Sequence, residues 1–136
     1  MAVITKTEVL VPGSAAGQVL RLDQPISFWG GIDAKTGAVT LAGHPQKGVA
    51  ITGKMLVIPR LIGSSSSSAV MLELLYSRIA PLALILGHVD AILPIGVIAA
   101  RQMGWLTILV IVADTTGLET GQHLEIDETG KIQRLS

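Results

Sequence analysis

Cysteine is absent from this 136-residue chain. That excludes a Cys-ligated zinc site, an iron–sulfur cluster held by this chain alone and a thiol nucleophile. It agrees with a cytoplasmic location, which we expect here. Aromatic residues make up only 3% and charged residues only 15%, against about 25% charged in an average soluble domain. The core must therefore be aliphatic. Ten basic and ten acidic residues balance to zero net charge, and no basic patch offers a footprint for nucleic acid. Met1-Ala2-Val3-Ile4-Thr5-Lys6 carries no signal-peptide pattern. The most apolar region, Ile79 to Ala113, is interrupted by Pro81, His88, Asp90, Pro94, Arg101 and Gln102. No uncharged run reaches the about 18 residues of a membrane helix, so no membrane partner is expected.

What is present is aliphatic. Hydrophobic residues reach 49%, rich in Ile, Leu, Val and Ala. This suits a parallel sheet covered on both faces, with a further face buried against another subunit. The length fits one domain, residues 1–136. Glu8 to Val11 and Gln18 to Leu22 read as strands, parted by turn signals at Pro12-Gly13-Ser14 and Gly17. Ala38 to Leu41 reads as a short strand and Gly43 to Gly48 as a loop. The centre reads strand–helix–strand–helix–strand: Met55 to Ile58, about Ser67 to Ser77, Leu82 to Leu86, Ile92 to Met103, and Thr107 to Val112. Crossovers of this kind favour parallel pairing. Alternating apolar residues on both sides of Glu128-Thr129-Gly130 predict a hairpin. The fold class is α/β, a central parallel sheet with flanking β segments.

The stretch from Lys54 to Leu75 organises the chain. A buried strand runs into Gly63 and five serines, Ser64 to Ser68, and then into a helix. Backbone N–H groups at such a strand–loop–helix junction favour an anion. The serine hydroxyls add donors and acceptors, and a serine is a preferred N-cap. The plainer alternative is a flexible linker. No G-x-S-x-G elbow and no phosphate-binding P-loop pattern occurs. The three histidines, His44, His88 and His123, match no metal spacing. His44, in a Gly/Pro loop, is the best of them for a site role. His88 and Asp90 read as a polar strand–helix loop. Phe28 and Trp29 beside Gly30-Gly31 are either core or a rim contact, and Asp33 is either a turn former or a site residue.

Three stretches together resemble the small subunit, or swivel domain, of the aconitase X family. They are Ser27-Phe28-Trp29-Gly30-Gly31-Ile32-Asp33 with Thr36-Gly37 and His44-Pro45; Gly53-Lys54 through Gly63-Ser64-Ser65; and Ala80-Pro81-Leu82-Ala83 through Asp90-Ala91-Ile92-Leu93-Pro94-Ile95-Gly96. The resemblance covers about residues 17–113. It implies a swivelling β/β/α domain that closes over a cleft in a larger partner, as a heterodimer or higher assembly. It implies dehydration of a small carboxylate substrate, cis-3-hydroxy-L-proline or, alternatively, phosphomevalonate. An iron–sulfur cluster or metal is then expected on the partner large subunit, with none bound by this chain alone.

By motif, Ser64 is the implied general base, taking the proton alpha to the carboxylate while the partner's metal draws away the hydroxyl. Gly63, Ser65, Ser66, Trp29, Gly30, Gly31, Asp33 and His44 are the implied substrate-binding residues. One departure stands out: Ile62 occupies the place where the family usually has Arg, and Arg60 offers a cation from a different position. A phosphohistidine swivel domain shares the general architecture, but it needs a histidine at the loop–helix junction, and Gly63 to Val70 contains none. A non-catalytic binding module is the remaining alternative.

Overall fold

A computed structural model describes residues 2–135. Its eight strands are β1 (Ala2–Ile4), β2 (Glu8–Val11), β3 (Ala15–Arg21), β4 (Met55–Ile58), β5 (Ala83–Leu86), β6 (Leu109–Val112), β7 (His123–Ile126) and β8 (Ile132–Arg134). The helices are α1 (Phe28–Gly31), α2 (Ser67–Tyr76) and α3 (Ile92–Gln102). The strands form one mixed sheet in the order β1-β8-β7-β3-β4-β5-β6-β2.

The four central strands, β3 to β6, pair in parallel. Every residue of β4 and β5 is buried, so these runs are apolar throughout rather than alternating. Their two faces serve different layers. Leu56, Ile58, Leu84, Leu86 and Val110 pack with Val70, Met71, Leu74, Leu93 and Val97 of the helices. Met55, Val57, Ala83, Ile85, Leu109 and Ile111 pack instead with Leu124, Ile126 and Ile132 of the terminal hairpin. The hairpin limb therefore covers the face that the helices leave open, giving a β/β/α layering. Strand β3 makes the turn between the two β layers. Residues Ala15 to Gln18 pair antiparallel with β7, and Val19 to Arg21 pair parallel with β4.

Several details differ from the sequence reading. Gly17 is not a turn. It lies inside β3, opposite Leu124, and a Cβ there would sit 2.7 Å from Leu82 Cδ1. The stretch Ala38 to Leu41 forms no strand and makes only the bridges Ile32↔Val39 and Ala38↔Ala50. Strand β1 was not anticipated; it pairs with β8 at the sheet edge. The hairpin turn stands as expected. Asp127 Oδ1 accepts the N–H groups of Thr129 and Lys131. The Thr129 hydroxyl bond above all holds the Asp127 carboxyl below its ordinary range. No helix among the described residues is long and apolar enough to cross a membrane.

Candidate functional site

The C-terminal ends of β4 and β5 bring the site together. Beyond Ile58 the chain bends at Pro59 and Arg60 and then extends alongside Ile26. Leu61 bridges Ile26 in parallel, and Ile62 N–H donates to Ile26 O at 2.9 Å. Alternation along this extension turns Leu61 inward and leaves Arg60 and Ile62 exposed. Beyond Leu86, Gly87 passes so close to Pro59 that a Cβ would lie 2.4 Å from the Pro59 carbonyl oxygen. Gly87 N–H donates to Ile58 O at 3.1 Å. This contact locks the loop after β4 against the loop after β5.

The serine loop carries polar groups that the rest of the fold does not use. The backbone N–H groups of Gly63, Ser64, Ser65 and Ser66 donate to no described residue. The hydroxyls of Ser64, Ser65 and Ser66 likewise have no partner among the described residues. All of them lie at the N-terminus of α2, where the helix dipole adds positive potential. Ser66 takes the N-cap position, yet its side chain makes no capping bond. The hydroxyls expected to cap the helix are thus left free. Arg60 is exposed with no ion-pair partner among the described residues.

Two serines of the run are committed to the fold. Ser68 Oγ donates to Ser65 O at 3.2 Å. Ser67, buried, accepts the Trp29 N–H at 3.1 Å and shares a 3.3 Å hydroxyl contact with Ser27. Ser67 therefore docks the Phe28–Gly31 segment onto the start of α2. There Phe28 is core, while Trp29 is 61% exposed. Gly30 sits at φ +80, a conformation glycine adopts without strain. A Cβ on Gly31 would meet Ile26 Cγ1 at 2.6 Å. Replacing Ser67 with Ala orphans the Trp29 amide and is expected to cost about 1–3 kcal/mol. Hydrogen exchange at the Trp29 amide checks this, with faster exchange than in the parent.

The other expected site residues fall as follows. Asp33 Oδ1 accepts Lys35 N–H at 2.8 Å, so its carboxylate closes its own turn. His44 is buried, and its Nδ1 accepts Gln46 N–H at 3.0 Å. Its Nε2 has no hydrogen-bond partner among the described residues. The loop that holds His44 hangs from β3 through a Gln46 Nε2–H to Arg21 O bond. No hydrogen bond joins it to the serine loop among the described residues.

Two residues read only as a polar loop instead border the serines. His88 Nε2 lies 3.3 Å from Leu61 O. Asp90 Oδ2 accepts the N–H groups of Ile92 at 3.1 Å and Leu93 at 2.8 Å. A Cβ on Gly63 would lie 3.8 Å from Asp90 Oδ1. The signals for Asp90 were its place in the third resembling stretch and its position just before a helix, where an acceptor is favoured. Among the described residues no group of three or more His, Cys, Asp or Glu gathers as metal ligands.

Comparison with known proteins places this geometry in a family. A family model described as the aconitase X swivel domain matches residues 4–134. The phosphomevalonate dehydratase small subunit of Thermococcus kodakarensis is 35% identical over 131 residues, 96% of this chain and 95% of that one. Cis-3-hydroxy-L-proline dehydratase of Pseudomonas aeruginosa is 40% identical over 94 residues; the match takes in 69% of this chain but only 16% of that relative's length. The crystal structure of Thermococcus kodakaraensis aconitase X in its holo-form matches with a TM-score of 0.87 at 34% identity, covering 96% of this chain and 97% of that chain.

Proposed function

Because the chain belongs to the aconitase X swivel-domain family, we propose that it is the small subunit of a two-subunit hydro-lyase that dehydrates a hydroxy acid, with cis-3-hydroxy-L-proline as the favoured substrate. The observation that carries the reading is the run of four N–H groups and three hydroxyls at the head of α2 that have no partner among the described residues. Such a loop suits a carboxylate. It also suits stabilising a serine alkoxide, since an ordinary serine hydroxyl is a poor base.

Ser64 stands first in that loop, half-buried, with its hydroxyl uncommitted. Its Oγ, as alkoxide, takes the proton from the carbon alpha to the carboxylate. The electron pair left behind forms the carbon–carbon double bond. The hydroxyl on the neighbouring carbon leaves as hydroxide and takes one proton from solvent to become water, while Ser64 gives the proton it took back to solvent. Ser65, Ser66 and the Gly63 and Ser64 N–H groups hold the carboxylate, and Trp29 with Gly30 and Gly31 forms the rim beside them. The chain's own donors do not fit an iron–sulfur cluster or a metal: it has no cysteine and no gathered ligand set among the described residues. That group belongs, in this reading, to the large subunit.

Phosphomevalonate is the second reading, favoured by the near full-length match to a small subunit of that name. Against it stands the charge at the loop. Ile62 is 50% exposed and apolar, Arg60 is the one cation on this extension, and the Asp90 carboxylate faces Gly63. A substrate carrying a phosphate and a carboxylate calls for more positive charge than this. Co-purification from cells that produce the chain with a cysteine-bearing large subunit tests the assembly: a stable complex is expected, and separate elution of the two chains contradicts it.

A further inference from the structure

We infer that Asp90 is the specificity residue of this site, its Oδ1 pairing with the cationic amino nitrogen of a β-hydroxy-α-amino acid. The inference rests on the dehydratase reading of the serine loop and narrows its substrate class. Its basis is the division of labour within one carboxylate. Oδ2 is fixed by the Ile92 and Leu93 N–H groups, which set the side-chain orientation. Oδ1 accepts no hydrogen bond from any described residue. That oxygen lies beside Gly63, where a Cβ would stand 3.8 Å from it.

The loop thus presents opposite demands side by side. Its N–H groups and hydroxyls attract an anion, and Asp90 attracts a cation next to them. An α-amino acid carries its carboxylate and its amino nitrogen on one carbon. That carbon bears the proton Ser64 is proposed to remove. Anchoring one group on the serine loop and the other on Asp90 holds the reacting C–H between them. The exposed side chain of Ile62 offers an apolar wall for the substrate's carbon skeleton. A phosphate placed on this loop meets the Asp90 carboxylate instead, a repulsion that acts as selection against it.

The test uses the complex of this chain with its large subunit. Asp90→Asn keeps an acceptor for the helix N–H groups, since Asn caps as well as Asp, while removing the charge. We expect KM for cis-3-hydroxy-L-proline to rise roughly tenfold to a hundredfold, with kcat lowered as well because the reacting C–H is no longer held in place. In the parent complex, L-proline is expected to inhibit at least about tenfold more tightly than cyclopentanecarboxylate, which has the ring and the carboxylate but no nitrogen. An unchanged KM in Asp90→Asn, or equal inhibition by the two ring acids, overturns the inference. A parent complex that dehydrates phosphomevalonate and not the amino acid overturns it too, while the dehydratase reading stands. A parent complex that dehydrates neither removes both.

Discussion

Ser64→Ala is expected to lower kcat of the assembled enzyme by about 10²–10⁴-fold while leaving the complex and its melting temperature unchanged. The separation of effects follows from what Ser64 does not touch. Its hydroxyl has no partner among the described residues and its side chain is half-buried. Deleting the oxygen orphans nothing and opens no core cavity. The Ser64 carbonyl, which accepts Ser67 N–H at 3.0 Å, is retained. Ser67→Ala is the informative contrast, because that hydroxyl is buried and bonded. A loss of turnover confined to Ser67→Ala, with Ser64→Ala fully active, removes Ser64 as the base.

Gly87→Ala is expected to have the larger effect on stability, about 1–3 kcal/mol, seen as a lower denaturation midpoint with an unchanged slope. The added Cβ would stand 2.4 Å from Pro59 O and 3.0 Å from two further Pro59 backbone atoms. No side-chain rotation relieves a clash with backbone, so the two strand ends must part. The Gly87 N–H to Ile58 O bond stretches with them. Because Pro59 leads directly into the serine loop, the folded fraction should also lose turnover. The same two measurements on Gly43→Ala provide a control. A Cβ at Gly43 meets no atom within 4 Å, although its φ of +78 carries the usual left-handed strain. A Gly87→Ala chain as stable as the parent contradicts the locking contact.

Much of the α/β centre was legible because its signals are local. Met55 to Ile58 and Ala83 to Leu86 are unbroken apolar runs, as strands buried on both faces must be. Val70, Met71, Leu74 and Leu75 recur at helical spacing and are all buried in α2. The hairpin around Gly130 carries alternation and turn chemistry together. What escaped depends on partners distant in sequence. Gly17 carries a turn signal, yet pairing with β7 holds it in a strand. Ala38 to Leu41 has strand-like residues but no neighbour to extend a ladder beyond single bridges.

The site divides the same way. A strand, a glycine, serines and a helix in succession were readable as a strand–loop–helix junction. Which serine faces outward was not, since Ser67 is distinguished only by the approach of Ser27 and Trp29. Asp90 was read as a loop residue because its nearness to Gly63 arises only once β4 and β5 lie side by side.

The most direct measurement is loss of the alpha proton from cis-3-hydroxy-L-proline, followed by NMR as solvent exchange and dehydrated product, with this chain alone, the large subunit alone, and the two mixed. The division of the active site between two chains requires turnover only in the mixture. Turnover by this chain alone, or by the large subunit at the full rate of the pair, would contradict it.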